Sequence, residues 1–301
     1  MKKYILAIAM AIVGVGAANA VEVPGADTCW TKSGNIGLNL TQVSFSNWAA
    51  GGDNSFGFTA SFNYSADMKK GKSLWQNRLE TMYGLNKTKS DGTKKTNDRL
   101  YISSNYGYSI GKAWYVSAMA ELSTQFANGY NYGTDPKTKI SEFMAPGNIT
   151  AGLGVKWNPK TYFTATLSAA SWRGVVVRDS SLRANYGWDT SDKEKMDKKI
   201  RNEFGGDLTM VFQKDIIKNV NLYTRLQLFS NYLQSPANVD VKWDVQFVLT
   251  VNKWLSTNIS TNMIYDNDTK TIGKNDDGED VLKGAKVQFK EALSIGFTVN
   301  F

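Results

Sequence analysis

The chain lacks histidine altogether and has a single cysteine, Cys29, among its 301 residues. Without histidine, Ser-His-Asp and Cys-His catalysis, histidine metal sites and histidine proton shuttles are all excluded. A lone cysteine cannot form a disulfide within the chain, and we interpret it as a structural or incidental thiol. These absences argue against an enzyme, so we expect no catalytic residue, no metal site and no cofactor.

Long hydrophobic runs are missing once the first twenty residues are set aside. There, Lys2 and Lys3 precede an apolar stretch, Tyr4–Ala17, and a small-residue cleavage pattern, Ala18–Ala20. Residues 1–20 are therefore predicted to be a secretory signal peptide. No later stretch reaches the roughly 18 apolar residues of a spanning helix. An exported chain of this kind is either soluble or a closed β-barrel, since only helices and closed barrels satisfy their backbone in lipid.

Basic residues give the chain a formal net charge of +8, but they are scattered along it. No basic helix or cluster of the type that binds nucleic acid is present in the sequence. We therefore expect no nucleic-acid partner.

Alternation of apolar and polar residues is the dominant pattern, and it is clearest over the last fifteen residues, VQFKEALSIGFTVNF. Apart from Glu291, the odd positions from Val287 to Phe301 are apolar, which predicts a strand with one apolar face. The segment resembles the closing strand of bacterial outer-membrane barrels, whose terminal aromatic residue is recognised by the assembly machinery. We expect Glu291 to lie at the outer rim or on a bulge.

Twelve such segments are predicted along the chain, which favours an all-β, transmembrane, antiparallel up-and-down β-barrel. They lie near residues 33–47, 54–66, 73–86, 98–109, 113–126, 148–157, 161–172, 198–213, 219–232, 239–251, 255–265 and 286–301. Short connections alternate with longer ones at 87–98, 127–147, 173–197 and 266–285, as expected for short periplasmic turns and longer extracellular loops. Two connections on the same side as the long ones, 49–53 and 234–237, are short. We assign residues 21–32 to a periplasmic segment and 33–301 to the barrel, with a soluble sandwich as the alternative.

The polar face of the predicted strands carries charges that we expect to line the lumen. These candidates are Arg78, Glu80, Arg99, Glu121, Arg201, Glu203, Asp207, Arg225, Asp240, Lys242 and Asp244. Neighbouring strands are expected to place Glu203 and Asp207 beside Arg225, and Arg225 beside Asp244 and Lys242. Two interpretations remain open: a structural network that closes the interior, or a conductive eyelet whose charges set selectivity. A barrel of about twelve strands is compatible with both.

Two loops carry further candidates. The segment with Trp48, Gly51, Gly52, Asp53 and Asn54 is expected to form a tight hairpin or, as the alternative, a ligand or partner site at the surface. The acidic connection over 266–280 either is solvated or binds Ca²⁺, although it lacks the register of an EF-hand loop.

Several stretches resemble an uncharacterised outer-membrane β-barrel family of Bacteroidota, classified as a domain of unknown function. They are, in order, SNWAAGGDNS, SNYLQSPANVDVKWDV, NKWLSTNISTNMIYDND and VQFKEALSIGF. The stretch ATLSAASWRGVVVRDSSLRANYG is also similar, but it lacks a proline expected in that family. The resemblance implies the barrel fold and the outer membrane of a Gram-negative bacterium; it brings no functional residues.

Three functions are weighed on these grounds. The first is a channel or transporter for small solutes, and the second is a structural or interaction barrel within a larger outer-membrane assembly. The third, a membrane-embedded hydrolase, is disfavoured by the absence of histidine. Expected partners are outer-membrane lipid, the assembly machinery through the strand ending at Phe301, and an unidentified protein in the second case.

Overall fold

A computed structural model of the chain describes residues 29–44, 54–90, 92–134, 136–234, 236–269, 271–274 and 280–301, with the backbone alone for Val43, 271–274 and 280–283. The predicted signal peptide therefore lies outside the described residues. No helix within these ranges has the length and apolarity that a membrane crossing needs.

Twelve antiparallel strands close into one barrel, which confirms the predicted fold class. The barrel strands are β1 (Trp30–Val43), β2 (Ser55–Lys70), β3 (Ser73–Thr88), β4 (Gly92–Ser109), β5 (Trp114–Thr124), β8 (Gly147–Lys160), β9 (Phe163–Val176), β10 (Ile200–Ile217), β11 (Val220–Asn231), β12 (Val239–Thr250), β13 (Leu255–Tyr265) and β16 (Gln288–Asn300). Each pairs with the next barrel strand along the chain, and β16 returns to β1.

Within the described residues, four short strands and two helical turns lie between barrel strands. They are β6 (Gly129–Asn131), β7 (Thr138–Ser141), β14 (Thr271–Lys274), β15 (Asp280–Lys283), a 3₁₀ helix (Ser180–Tyr186) and α1 (Lys193–Asp197). The β6–β7 and β14–β15 pairs form separate two-stranded sheets. All of them fall in the connections predicted to be long, so one end of the barrel, the long-loop end, carries the additional structure. The other end, the short-turn end, has tight turns.

The strand boundaries differ from the predicted ones mainly in the hairpin between β3 and β4. Residues 87–98 were predicted to be a long connection, yet β3 continues to Thr88 and β4 begins at Gly92. The polar composition of this stretch does not oppose a strand, because both faces of a strand that extends beyond a barrel rim meet water. At the other end of the barrel, β1 begins at Trp30, three residues ahead of the predicted barrel start at 33.

The outer face of the wall is apolar and carries aromatic residues near its ends. Trp75, Tyr108, Trp114, Trp157 and Phe301 are exposed beside the short turns, and the rings of Trp114 and Trp157 stack at 5.9 Å. Glu291 faces outward opposite Thr261, in a regular register without a bulge, three residues inside the long-loop end of β16. An apolar exterior with rim aromatics around a polar interior is the arrangement that suits a lipid bilayer.

Closure of the barrel depends on a short seam between β1 and β16. Five Cα partners, from Asn35–Asn300 to Asn39–Gly296, form this seam. Backbone bonds in both directions between Gly34 and Phe301 extend it, with N···O distances of 2.8 and 2.9 Å. The Phe301 ring lies against the Cα of Gly34, where an added Cβ would come within 2.5 Å of the ring. Glycine at position 34 therefore leaves room for the aromatic ring over the seam.

Candidate functional site: the barrel lumen

The inner faces of the barrel strands carry all the charged residues predicted to line the lumen. Their places are Arg78 and Glu80 on β3, Arg99 on β4, Glu121 on β5, Arg201, Glu203 and Asp207 on β10, Arg225 on β11, and Asp240, Lys242 and Asp244 on β12. Many of their contacts join strands that are not neighbours in the wall, so these side chains bridge the interior.

One buried cluster is centred on Arg225. Its Nη2 donates to both carboxylate oxygens of Glu121 at 2.8 Å, although β11 and β5 are four strands apart around the wall. The hydroxyl of Tyr101 donates to the same carboxylate at 2.9 Å. Gln227 donates to Asp207 at 2.7 Å and so joins a second carboxylate to the cluster. Glu121 thereby connects β5, β4 and β11 through hydrogen bonds at one buried guanidinium.

A second buried cluster lies nearer the long-loop end and is centred on Glu203. Arg173 and Arg201 both approach this carboxylate, at 2.5 Å and 2.9 Å. Arg173 also binds Asp240 on β12, and its guanidinium lies 4.0 Å from the centre of the Phe229 ring. The Glu203 side chain is only 1 % exposed. Two arginines around one carboxylate compensate a charge that would be costly to bury alone.

Arg99 connects opposite sides of the barrel. It lies 3.3 Å from Glu80 on the adjacent strand and 3.5 Å from Asp244 on β12. Since β4 and β12 are six strands apart in a ring of twelve, the Arg99–Asp244 contact spans the lumen along a diameter. This diameter leaves five strands on each side. We call the side formed by β5, β8, β9, β10 and β11 the packed half, and the side formed by β13, β16, β1, β2 and β3 the water-lined half.

The two halves differ in solvent access. In the packed half, the side chains of Arg225 and Glu121 are 7 % and 13 % exposed. In the water-lined half, the side chains of Asp67 on β2 and Arg78 on β3 are 31 % and 39 % exposed. The diameter lies between, with Arg99 and Asp244 at 31 % and 21 %. The lumen of this conformation is thus filled on one side and reaches water on the other.

Small neutral side chains, nearly all of them polar, line four strands of the water-lined half. The small inward residues that are partly exposed there are Asn258, Ser260 and Asn262 on β13, Ala292, Ser294 and Thr298 on β16, Asn35 and Asn39 on β1, and Thr59, Ser61, Asn63 and Ser65 on β2. Several of them form hydrogen bonds, such as Asn63 to Asn35 at 3.0 Å and Thr298 with the buried Ser256 at 3.2 Å. Because these side chains are short, they leave space along the wall that the arginines of the packed half do not.

Two lysines reach across parts of the lumen and donate hydrogen bonds to neutral oxygen atoms on other strands. Lys156 on β8 is buried and donates to Gln76 on β3 at 2.6 Å, near the short-turn end. Lys290 on β16 reaches across the water-lined half to β4, where it binds the Asn97 side chain and the Thr96 carbonyl. The second contact is 3.3 Å long.

The pairing around Arg225 differs from the neighbour pairing expected from the sequence. Asp244 does lie directly opposite Arg225 in the β11–β12 register, but it accepts from Asn262 at 2.7 Å and contacts Arg99. The residue opposite Arg225 on β10 is Val211, and Asp207 lies four positions further along. Arg225 instead crosses the lumen to Glu121, a contact between strands that local register cannot reveal.

Sequence reasoning missed several lumen residues: Asp67, Tyr101, Lys156, Arg173 and Gln227. Arg173 was assigned to a loop because the predicted strand ended at 172, whereas β9 runs to Val176. Asp67 was missed for the same reason at the other end of the barrel, and it binds Arg78 through both carboxylate oxygens. Tyr101 follows the inward-facing Arg99 by two residues on β4, so strict alternation would have placed it on the inner face as well.

A small apolar core caps the long-loop end beside the packed half. Val175, Val177, Leu182, Trp188 and Ala145 are buried together. The buried guanidinium of Arg183 donates to carbonyls in the same loops, at 3.0 Å to Val177. These contacts give the connection between β9 and β10 a fixed structure.

An ion pair attaches the β6–β7 hairpin to this cap. Lys139 binds Asp179 and lies 3.0 Å from Glu142. The hydrogen bond from Lys139 lowers the pKa of Asp179 to about 2, with a further bond from Ser181. The hydrogen bonds to Asp179 and Glu142 raise the pKa of Lys139 to about 12.

The predicted loop candidates lie largely outside the described residues. Trp48, Gly51, Gly52 and Asp53 are not described, and Asn54 is exposed directly before β2. In the acidic connection, Asp268 binds Arg201. Within the described ranges, no group of three or more histidine, cysteine, aspartate or glutamate side chains is placed to hold a metal ion.

Two family models match the chain one after the other. Residues 40–130 match a protein family of unknown function, DUF3078, and residues 148–279 match another, DUF481. Neither model reaches half of the chain. The family resemblance is therefore to uncharacterised families, and the origin in Bacteroidota stays a prediction. Among curated proteins, no sequence matches the chain.

Solved structures with overall likeness include three bacterial barrels. The COG4313 outer membrane channel from Pseudomonas putida F1 has 9 % identity and a TM-score of 0.38, over 94 % of this chain and 100 % of that one. The translocator domain of autotransporter NalP from Neisseria meningitidis has 9 % identity and a TM-score of 0.37, over 99 % and 98 %. The NanC porin has 10 % identity and a TM-score of 0.37, over 89 % and 98 %. At such low scores these likenesses carry no argument, and the fold rests on the strand pairing.

Proposed function

We propose that this protein is an outer-membrane β-barrel that passes small solutes along the water-lined half of its lumen. The observation that carries the proposal is the division of the lumen by Arg99 and Asp244 into a filled side and a side that reaches water. A filled half narrows the conduit, so we expect a small conductance and a low size limit. The proposal includes no catalytic activity.

The membrane location is part of the same proposal. It is supported by the apolar exterior, the aromatic residues beside the short turns and the polar lumen. We place the short-turn end at the periplasm and the long-loop end outside a Gram-negative cell. Lipid is then the partner of the outer face, and we expect β16 to contact the assembly machinery.

Cysteine modification in planar bilayers tests the conduit. Ser260→Cys places a thiol in the water-lined half, and Ser117→Cys places one on the buried lumen face of β5. Both variants carry Cys29→Ser to remove the native thiol. We expect a bulky methanethiosulfonate reagent to reduce the conductance of the Ser260→Cys variant and to leave that of the Ser117→Cys variant unchanged.

A second candidate function is a structural or interaction barrel, which the ion-pair network of the packed half favours. Its signature would be the absence of stepwise conductance in every variant, together with co-purification of a fixed partner. Block of both cysteine variants to the same extent would instead contradict the division of the lumen on which the first proposal depends.

A further inference from the structure

Apart from Lys290, whose acceptors are neutral oxygens, the arginines that face the water-lined half lie in ion pairs within the protein. Arg78 is bound by Asp67 through two contacts, and Arg99 is shared by Glu80 and Asp244. Between these groups, the strands β13, β16, β1 and β2 present Asn, Ser, Thr and Ala. A charged solute entering this space would lose water, which is costly, and would meet no unpaired countercharge along these four strands except the single ammonium group of Lys290.

The same lining is well suited to an uncharged solute with hydroxyl groups. Amide and hydroxyl side chains donate and accept hydrogen bonds, so each can replace water around a hydroxyl of either orientation. No arginine from this half needs to move out of the way, since the short side chains already leave space. The chemistry of the wall thus discriminates by charge rather than by a specific binding group.

Lys290 is the one cation of β16 that crosses this space. Its ammonium group binds Asn97 and the Thr96 carbonyl, four strands away around the wall. Asn97 in turn donates to Thr59 at 3.1 Å, because Gly84 between them has no side chain. The acceptors of Lys290 are neutral oxygens and its side chain is exposed. Such a contact can break and reform more readily than the buried pairs of Arg225 and Arg173.

We propose that the water-lined half is a conduit for small, uncharged, hydroxylated solutes and that Lys290 is the latch at its long-loop end. This inference rests on the proposed channel function. In the closed state the Lys290 side chain spans the conduit; in the open state it releases Asn97 and lies along β16. Replacement of Lys290 by methionine removes the ammonium donor while the side chain keeps most of its length.

Swelling of proteoliposomes tests the proposal by the rate at which solutes enter. The three probes have similar size and different charge: glucose, gluconate and glucosamine. We expect glucose to enter fastest through every active variant. Lys290→Met should raise the glucose rate roughly tenfold, the scale expected when hydrogen bonds from a charged group are lost. Lys290→Arg keeps a charged donor and should retain the slow rate. Lys286→Met removes an exposed charge four residues away and serves as the control, with no change expected.

The outcomes separate the inference from the proposed function. Equal glucose rates in the wild-type protein and the Lys290→Met variant would overturn the latch, and entry of gluconate or glucosamine as fast as glucose would overturn the solute class. In both cases block of the Ser260→Cys variant would still support a channel. If no probe enters any variant and the Ser260→Cys variant does not respond to modification, the proposed function itself fails.

Discussion

Removing the carboxylate charge of Glu121 should destabilise the barrel strongly, because Arg225 would remain charged and buried. The Glu121→Gln replacement keeps the size of the side chain and deletes the charge that meets Arg225 Nη2 at 2.8 Å. Both side chains are largely shielded from water, at 13 % and 7 % exposure. Removing one partner of a buried pair typically costs about 3–5 kcal/mol. We expect a loss in this range in the free energy of unfolding.

The matched control lies in the same lumen. Asp67→Asn deletes the carboxylate that binds Arg78, where the two side chains are 31 % and 39 % exposed. Water can solvate Arg78 after the change, so the expected cost is about 0–1 kcal/mol. A third variant, Glu121→Leu with Arg225→Met, removes both charges and should recover most of the loss, since an apolar pair of similar volume often equals a buried ion pair.

Denaturant unfolding of the barrel in lipid vesicles provides the assay. Tryptophan fluorescence follows the transition, the gel mobility shift of the folded barrel verifies assembly, and the free energy is extrapolated linearly to zero denaturant. Equal losses for Glu121→Gln and Asp67→Asn would refute the reasoning, because the packed half would then be as well solvated as the water-lined half. A double variant less stable than Glu121→Gln would refute the assignment of the cost to an unpaired charge.

Three further predictions concern the barrel wall, the connection between β9 and β10, and the aromatic rim. Gly205→Ala should destabilise the barrel by about 3 kcal/mol or more, since a Cβ would lie 1.9 Å from the backbone oxygen of Ser230. The Asp179 carboxyl should titrate by NMR with a midpoint of about 2, and its contact with Lys139 should persist until the pH falls from about 4 towards that value. Trp114 should be quenched more by lipids brominated near the headgroup than by those brominated at the bilayer centre, as expected for a rim residue.

Each of these predictions has a control. Gly111→Ala places a Cβ with nothing within 4 Å and should leave stability unchanged, whereas an equal loss would contradict the close approach at Gly205. Lys139→Met should move the Asp179 midpoint back towards the ordinary value of 3.8; no movement would show that the pair does not form. In the basic range the ion pair is lost with rising pH instead of falling pH. The contribution of Lys139 to stability should disappear as the pH rises from about 10.5 towards about 12. Strongest quenching of Trp114 at the bilayer centre would exclude a rim position.

The barrel was predictable from the sequence because alternation and loop length are local. Each of the twelve predicted segments overlaps one barrel strand, and the segment predicted over 255–265 matches β13 residue for residue. The end of the barrel that carries the long connections also followed from their lengths. Polar strand ends were the weak point: composition placed 87–98 in a loop, whereas hydrogen bonding along the β3–β4 hairpin extends the strands.

Most of the charged side chains of the lumen were predictable from alternation, although Asp67, Lys156 and Arg173 were missed, and none of the contacts across the lumen was predictable. Alternation places Arg99 and Asp244 on inward faces, yet their contact spans a diameter and depends on the closed shape of the ring. The same holds for Arg225 and Glu121, which are 104 residues apart in the chain. The division into a packed and a water-lined half follows from these contacts, so no local pattern could have indicated it.

The short seam between β1 and β16 has a consequence for how the barrel folds. All other neighbouring barrel strands are joined by one connection along the chain, but these two come from its opposite ends, so their encounter carries the largest loop-closure entropy in the wall. Five Cα partners and the Gly34–Phe301 bonds repay that cost. We expect strand pairing to proceed along the hairpins first and the seam to join last. The rate of final closure would then respond to changes at Gly34, while changes within the hairpins would leave it unaltered.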